Sequence, residues 1–208
     1  FLTIVSCFLL PALSWFTIKP YFLRLQQAVT TKREYLRIKF NAEIFDTLLK
    51  KQKRITAPVV NLGIDLGNAG ATHTLIKVCN PYCGPCASAH PKIEKLLEDH
   101  DNLRIKIIFT APDDDNNIKS KPVKHLLAIT EKQNEQLTKK ALDDWYLAEK
   151  KDYDVFAAKY PMPARRGGNG ELLRQGPKLA AMSKWCEEMN VKATPTFFLV
   201  VNQLPDAY

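Results

Sequence analysis

The chain has 208 residues, 46% hydrophobic and 25% charged, with a formal net charge of +8 and five cysteines. That length holds one domain with a sizeable core plus attachments, and five cysteines are too few for a disulfide scaffold in a chain this long. The charge argues against nucleic acid: residues 1–54 hold ten Lys/Arg against three Asp/Glu while the remainder is nearly neutral, and no interleaved aromatic–basic patch is visible.

Residues 1–18 carry no charge. Their length is at the lower edge of a membrane span, and Trp15, Lys19, Tyr21 and Arg24 resemble an interfacial anchor. A cleaved signal peptide fits poorly, because there is no basic start. The expectation is a transmembrane helix over residues 1–20, with Pro11 tolerated inside it and Cys7 a small apolar residue. Residues 21–56 read as a basic helical connector, one long helix or two shorter ones, with an imperfect apolar face from Tyr35 to Leu49. Such basicity beside an apolar stretch suits an anionic membrane surface. Ala57-Pro58 breaks the pattern and opens a domain over residues 57–208.

From Val59 the rhythm changes. Val59 to Ile64 is short, β-branched and bounded by turn residues, so it reads as a strand. Gly67 to Gly70 reads as a turn, and Thr72 to Val78 as a second strand. Ala87 to Asp99 reads as a helix with Ile93, Leu96 and Leu97 on one face and Pro91 expected to kink it. Leu103 to Thr110 is a third strand, which completes a βαβ unit, normally right-handed and parallel. Asp113, Asp114 and Asp115 lack the spacing, glycine and distal Glu of a calcium loop and read as a solvated loop. Residues 121–160 look helical, Arg165 to Gly170 is a flexible break, and Glu171 to Met189 is helical with a fresh start at Gly176-Pro177. Phe197 to Val201 is a strand.

The chemistry gathers at Cys79-Asn80-Pro81-Tyr82-Cys83-Gly84-Pro85-Cys86. Two thiols separated by two residues can close a small disulfide ring where a helix begins at the first. A helix N-terminus offers unpaired N–H groups and a positive dipole end, which suit a thiolate, the reactive species. A structural zinc site usually needs four ligands, often in two distant pairs. Neither the other cysteines nor His73, His90, His100 and His125 supply a second pair, so no metal is assigned. A pair of structural core cysteines would not need this spacing at a strand–helix junction. The redox reading makes Cys83 the nucleophile and Cys86 the more buried resolving thiol, with Gly84 and Pro85 setting ring geometry and potential. Cys79 is expected to be a buried bystander, Cys186 a core residue and His90 a surface or capping residue. Thr194-Pro195-Thr196 before the last strand is either a plain strand start or a cis-proline; in the second case Thr194, set by Pro195, offers backbone N–H and C=O to an extended substrate, and the two are the candidate substrate-binding residues.

Cys83-Gly84-Pro85-Cys86 on a strand–helix turn, Pro91 five residues on, and Thr194-Pro195-Thr196 together resemble the thioredoxin superfamily, whose thioredoxins carry the same tetrapeptide. The long insertion between Thr110 and Val191, and the lead-in Gly67 to Thr72 followed by Asn80-Pro81-Tyr82-Cys83, resemble the DsbA-like branch. The resemblance implies an α/β thioredoxin-like fold, a central mixed sheet flanked by helices, with a helical insertion over about residues 112–190. An apolar helix, then a basic connector with Phe45-Asp46-Thr47-Leu48-Leu49, then such a domain is similar to bacterial vitamin K epoxide reductase family proteins with a fused thioredoxin-like domain. That likeness implies that residues 1–18 are the last helix of a quinone-reducing membrane domain that re-oxidises the attached one. Quinone would then belong to that membrane part, and this domain would use no cofactor. A thioredoxin fold should end with another strand and a covering helix, and Asn202 to Tyr208 looks too short for them, so the chain reads as truncated at both ends. By the positive-inside rule the basic segment places the Cys pair in the cytoplasm; the fusion resemblance places it outside, and outside is the expectation.

Three functions follow: a membrane-anchored thiol–disulfide oxidoreductase acting on protein thiols in extracytoplasmic disulfide formation; a thioredoxin-like reductase, to which Gly84-Pro85 points; or a redox sensor or peptide-binding module without catalysis.

Overall fold

The computed structural model describes residues 2–162 and 170–205, with side chains from Leu13 onward. It divides into two compact units, residues 1–51 with 205–208, and residues 52–204.

In the first unit, α1 runs over Leu2–Lys39 and α2 over Ala42–Lys50. Asn41 separates them: its side-chain oxygen accepts from the backbone N–H of Glu43 and Ile44, which caps the new helix. The segment after residue 20 thus forms the end of one long helix and a second short one. Leu13, Trp15, Phe16, Ile18, Tyr21 and Phe22 on α1 are all exposed. Among the described residues no helix is long and apolar enough to cross a membrane. The side chains of residues 1–12, which carry most of the stretch read as a span, and Cys7 with them, lie outside the described residues.

The second unit is α/β. Its strands are β1 (Ile64–Gly67), β2 (His73–Cys79), β3 (Leu103–Phe109), β4 (Thr196–Leu199) and β5 (Asn202–Gln203). They form one mixed sheet in the order β1-β3-β2-β4-β5. The central pair β2–β3 is parallel, with Lys77 opposite Ile107 and Cys79 opposite Phe109. The other pairs are antiparallel. α3 (Gly84–Asp99) makes the β2–β3 crossover. Between β3 and β4 lie α4 (Ser120–Thr130), α5 (Glu135–Tyr146), α6 (Tyr153–Lys159), α7 (Gly170–Leu173) and α8 (Gly176–Glu188). α3 and α8 both pack on β3. The last five residues of β2 and of β3 are buried without alternation, the pattern of strands covered on both faces. The Arg165 to Gly170 break falls almost wholly on residues 163–169, outside the described ones.

Four expectations are corrected. The first strand is Ile64–Gly67, not Val59 to Ile64, because Asn61 (φ 60°) and Gly63 (φ 67°) are left-handed and cannot continue an extended chain. The fourth strand stops at Leu199, because Val200 (φ 59°) turns the chain. That turn delivers a further strand within the short C-terminal stretch: Phe198 pairs with Gln203 and Leu199 with Asn202, and residues 53–55 add backbone bonds beside it. The acidic loop is not simply solvated. Asp113 and Asp115 lie 2.7 and 2.8 Å from the ammonium of Lys124, itself 5% exposed, so the loop carboxylates neutralise a buried cation.

Candidate active site

β2 ends at Cys79, and Asn80 to Tyr82 turn the chain into α3. The Asn80 side chain accepts from Tyr82 N–H at 3.0 Å, its carbonyl accepts from Cys83 N–H, and the indole N–H of Trp145 donates to the Pro81 carbonyl at 2.8 Å. Tyr82 packs edge-on against Trp145, centroids 5.4 Å apart. A residue from α5 therefore holds the loop that carries Cys83.

Cys83 is the N-cap of α3, half-buried, with extended backbone; its sulfur accepts from Cys86 N–H at 3.4 Å. Gly84 and Pro85 form the exposed first turn, where proline fits because no helix bond is lost. Cys86 lies one turn in and is fully buried. From the far side, the Cys83 thiol donates to the Thr194 carbonyl at 3.2 Å. The Thr194–Pro195 peptide is cis and both residues are half-buried. Thr196 Oγ1 donates to the Ala193 carbonyl at 2.7 Å. The structure thus brings Cys83, Gly84, Pro85, Cys86, Thr194 and Pro195 to one place, although Thr194 lies 111 positions from Cys83.

Under the pair is a cluster that the sequence does not announce. Side chains alternate along a strand, so Lys77 and Cys79 share one face of β2, and that face meets α3: the Lys77 ammonium donates to the Cys86 carbonyl at 3.2 Å. Lys77, Cys79 and Tyr146 are all buried, and the ammonium lies 4.8 Å from the centre of the Tyr146 ring. The Cys86 thiol is pushed well up, first by its hydrogen bond with Cys79 and then by burial. Cys186 is buried in the core, its thiol raised to about 12 by burial and then by Glu187.

His90 is a buried residue, 1% exposed, and not the surface or capping residue expected. One turn beyond Cys86, it is turned inward on α3, where its ring stacks on Tyr146 with centroids 5.1 Å apart. Burial, then the charge of Lys77, lower its pKa to about 4. The neutral imidazole lies 3.1 Å from an Asp143 carboxylate oxygen and 3.6 Å from one of Glu94. His90, Glu94 and Asp143 form a three-group cluster of the kind that can ligate a metal. Only the α3 pair is visible as a spacing; Asp143 joins it through the packing of α5 on α3.

Glu94 has a pKa raised to about 7, by burial first and then by its hydrogen bond to Asp143. A carboxyl that holds its proton more tightly when folded supports the fold below its unfolded value near 4.5, and that support is lost as pH rises through about 7. Glu94→Gln fixes the neutral state. Allowing for solvent at its 22%-exposed side chain, we expect the variant to gain about 1–2 kcal/mol over the wild type at pH 8 and nothing at pH 4. Urea unfolding at the two pH values measures this; an equal gain at both would show that Glu94 is not protonated in the fold.

Residues 61–203 match the family model described as Thioredoxin. No curated protein sequence matches the chain. Among solved structures, BcfH of Salmonella enterica Typhimurium is 13% identical with a TM-score of 0.56, over 98% of this chain and 84% of that one. A periplasmic thioredoxin-like protein from the same serovar is 12% identical with a TM-score of 0.54, covering 70% and 82%. A variant of α-DsbA1 from Wolbachia pipientis is 17% identical with a TM-score of 0.53, covering 71% and 78%. With the family match spanning the sheet, the Cys83–Cys86 junction and the Thr194–Pro195 turn, the chain belongs to the thioredoxin family and is an oxidoreductase of the thiol–disulfide class.

Proposed function

We propose that the chain is a membrane-anchored thiol–disulfide oxidoreductase that exchanges a Cys83–Cys86 disulfide with protein substrates outside the cytoplasm. The observation that carries this reading is the asymmetry of the pair. Cys83 is open enough for attack on a substrate, whereas Cys86 is fully buried one turn behind it. A substrate thiol attacks Cys83 Sγ, Cys86 leaves, and the mixed disulfide forms on Cys83; a second substrate thiol then releases the reduced enzyme and an oxidised substrate. In the reductive direction Cys83 attacks and Cys86 resolves. An extended substrate docks beside Thr194 and Pro195, its own backbone replacing the Cys83 thiol at the Thr194 carbonyl.

The apolar side chains exposed on α1 and the basic residues that follow support attachment to an anionic membrane. In this reading a quinone-reducing membrane domain, of the type fused in the vitamin K epoxide reductase family, re-oxidises the pair, and the thioredoxin domain itself uses no cofactor. The periplasmic origin of one structural neighbour agrees with an extracytoplasmic site. The second reading, a reductase, rests on Gly84-Pro85, the dipeptide thioredoxins carry between their cysteines.

The test is the reduction potential of the Cys83–Cys86 couple, with insulin reduction and refolding of a scrambled disulfide protein alongside. A value toward about −120 mV supports the oxidase; one near −270 mV assigns the reductase. Inactivity in both assays would remove both enzymatic readings. Sedimentation of the full chain with anionic vesicles, and not with neutral ones, tests the anchor.

A further inference from the structure

Two buried donors beneath the active-site pair have no anionic partner among the described residues. Lys77 is 0% exposed, yet among the described residues no carboxylate pairs with it. Its neighbours are the Cys86 carbonyl and the Tyr146 ring. The Tyr146 hydroxyl is buried with no nitrogen or oxygen partner. A buried ammonium with no anion beside it is costly, and a buried unsatisfied hydroxyl adds to that. Together they outline a place for an anion.

The groups available to become that anion are the thiols of Cys79 and Cys86, both 0% exposed, one on the β2 face that Lys77 shares and the other on the α3 turn whose carbonyl Lys77 bonds. Burial opposes ionisation of Cys79, but the hydrogen bond from Cys86, the Lys77 charge and the Tyr146 hydroxyl outweigh it, so its thiol is more acidic than usual. Cys79 is 0% exposed at the end of β2. No protein substrate reaches it, so the one disulfide within its reach is one that includes Cys86.

We propose that Cys79 is a third redox thiol, which attacks Cys86 of the Cys83–Cys86 disulfide and forms a buried Cys79–Cys86 disulfide. The inference rests on the reading that Cys83–Cys86 cycles. The Cys79 thiolate supplies the electron pair of the new S–S bond. The Cys83–Cys86 bond breaks, and Cys83 leaves as a thiolate that takes up the proton Cys79 gave up. One disulfide replaces another, and no electrons enter or leave. Lys77 is a positioning residue, holding the attacking thiolate.

The product is oxidised yet carries a free Cys83 thiol. That thiol attacks a substrate disulfide, but Cys86 is unavailable to resolve the mixed disulfide, so a thiol of the substrate must do so. In this state the chain rearranges disulfides in its substrate and transfers none.

The test is disulfide mapping of the full chain carrying Cys7→Ser and Cys186→Ser, poised in glutathione buffers, acid-quenched and alkylated. Chymotryptic cleavage after Tyr82 puts Cys79 and Cys86 on different peptides. The expected result is a linked Cys79–Cys86 peptide pair with Cys83 alkylated, appearing severalfold more slowly after quenching at intervals in Lys77→Gln, where the attacking thiolate has lost its counter-charge. Cys83→Ala, which leaves Cys79–Cys86 as the one possible disulfide, should still oxidise. Cys79 alkylated in full at every poise, with Cys83–Cys86 formed, overturns the third thiol and leaves the exchange reading standing. No disulfide among the three cysteines overturns both.

Discussion

Cys83→Ser is expected to lower thiol–disulfide exchange at least a thousandfold, roughly the loss seen when a covalent nucleophile is removed, with the fold kept. The two outcomes separate because of where Cys83 sits. It is the N-cap of α3, and its side chain accepts from Cys86 N–H. Serine is among the best N-cap residues, so its hydroxyl keeps that bond and the helix start. It is also isosteric enough to donate to the Thr194 carbonyl in place of the thiol. What it cannot do is form a mixed disulfide. Unchanged thermal unfolding with no insulin reduction and no refolding of a scrambled substrate is the expected pair of results. Cys86→Ser gives a different signature: the nucleophile remains and the resolving thiol is gone, so covalent complexes with substrate accumulate and disappear on adding reductant. Full activity of Cys83→Ser in both assays would transfer the chemistry to another residue.

The parts of this fold that are legible in the sequence are those where local pattern and tertiary role agree. β2 and β3 are long β-branched runs covered on both faces, so their apolar content is continuous and their limits are read to within about a residue. The junction from Cys79 to Gly84 is legible for the same reason: a strand pattern stops, a helix pattern starts, and a glycine and proline stand between the thiols. β1 is misplaced because Val59 and Val60 look like strand residues while the left-handed Asn61 and Gly63, decided by packing on β3, exclude them. β5 is missed because two residues carry no periodicity; a turn at Val200 and pairing with β4 create it.

The buried cluster is illegible for a further reason. Lys77 reads as an ordinary polar residue on a strand, and nothing nearby in sequence marks its burial. Its environment comes from Tyr146 on α5, inside the helical insertion, some seventy positions away. Period-two alternation does place Lys77 on the face of Cys79, and a lysine on a core-facing strand position two residues before a cysteine is the one signal that could have drawn attention to it. His90 is similar: one turn beyond Cys86 it has to face either solvent or α5, and only the packing of α5 on α3 decides.

Gly63→Ala is expected to be the most damaging small substitution outside the cysteines. An added Cβ at Gly63 would stand 2.0 Å from the carbonyl oxygen of Ile107 and 2.9 Å from its carbonyl carbon. Both are backbone atoms of β3, the strand bonded to β1 and β2, so no side-chain rotation relieves the contact. The backbone there is left-handed as well, at φ +67°, which costs a residue with a Cβ about 1 kcal/mol on its own. The chain must shift β1 away from β3, with loss of pairing such as Ile64 with Ile107. A cost of about 3–5 kcal/mol is expected, a large part of the total stability of a domain. Gly84→Ala is the matched control: nothing lies within 4 Å of its added Cβ, and alanine is the better helix residue, so stability should hold or rise by up to about 1 kcal/mol. Urea unfolding of the two variants decides it. A Gly63→Ala protein as stable as the wild type would mean that β1 does not approach β3 as closely as Ile107 indicates.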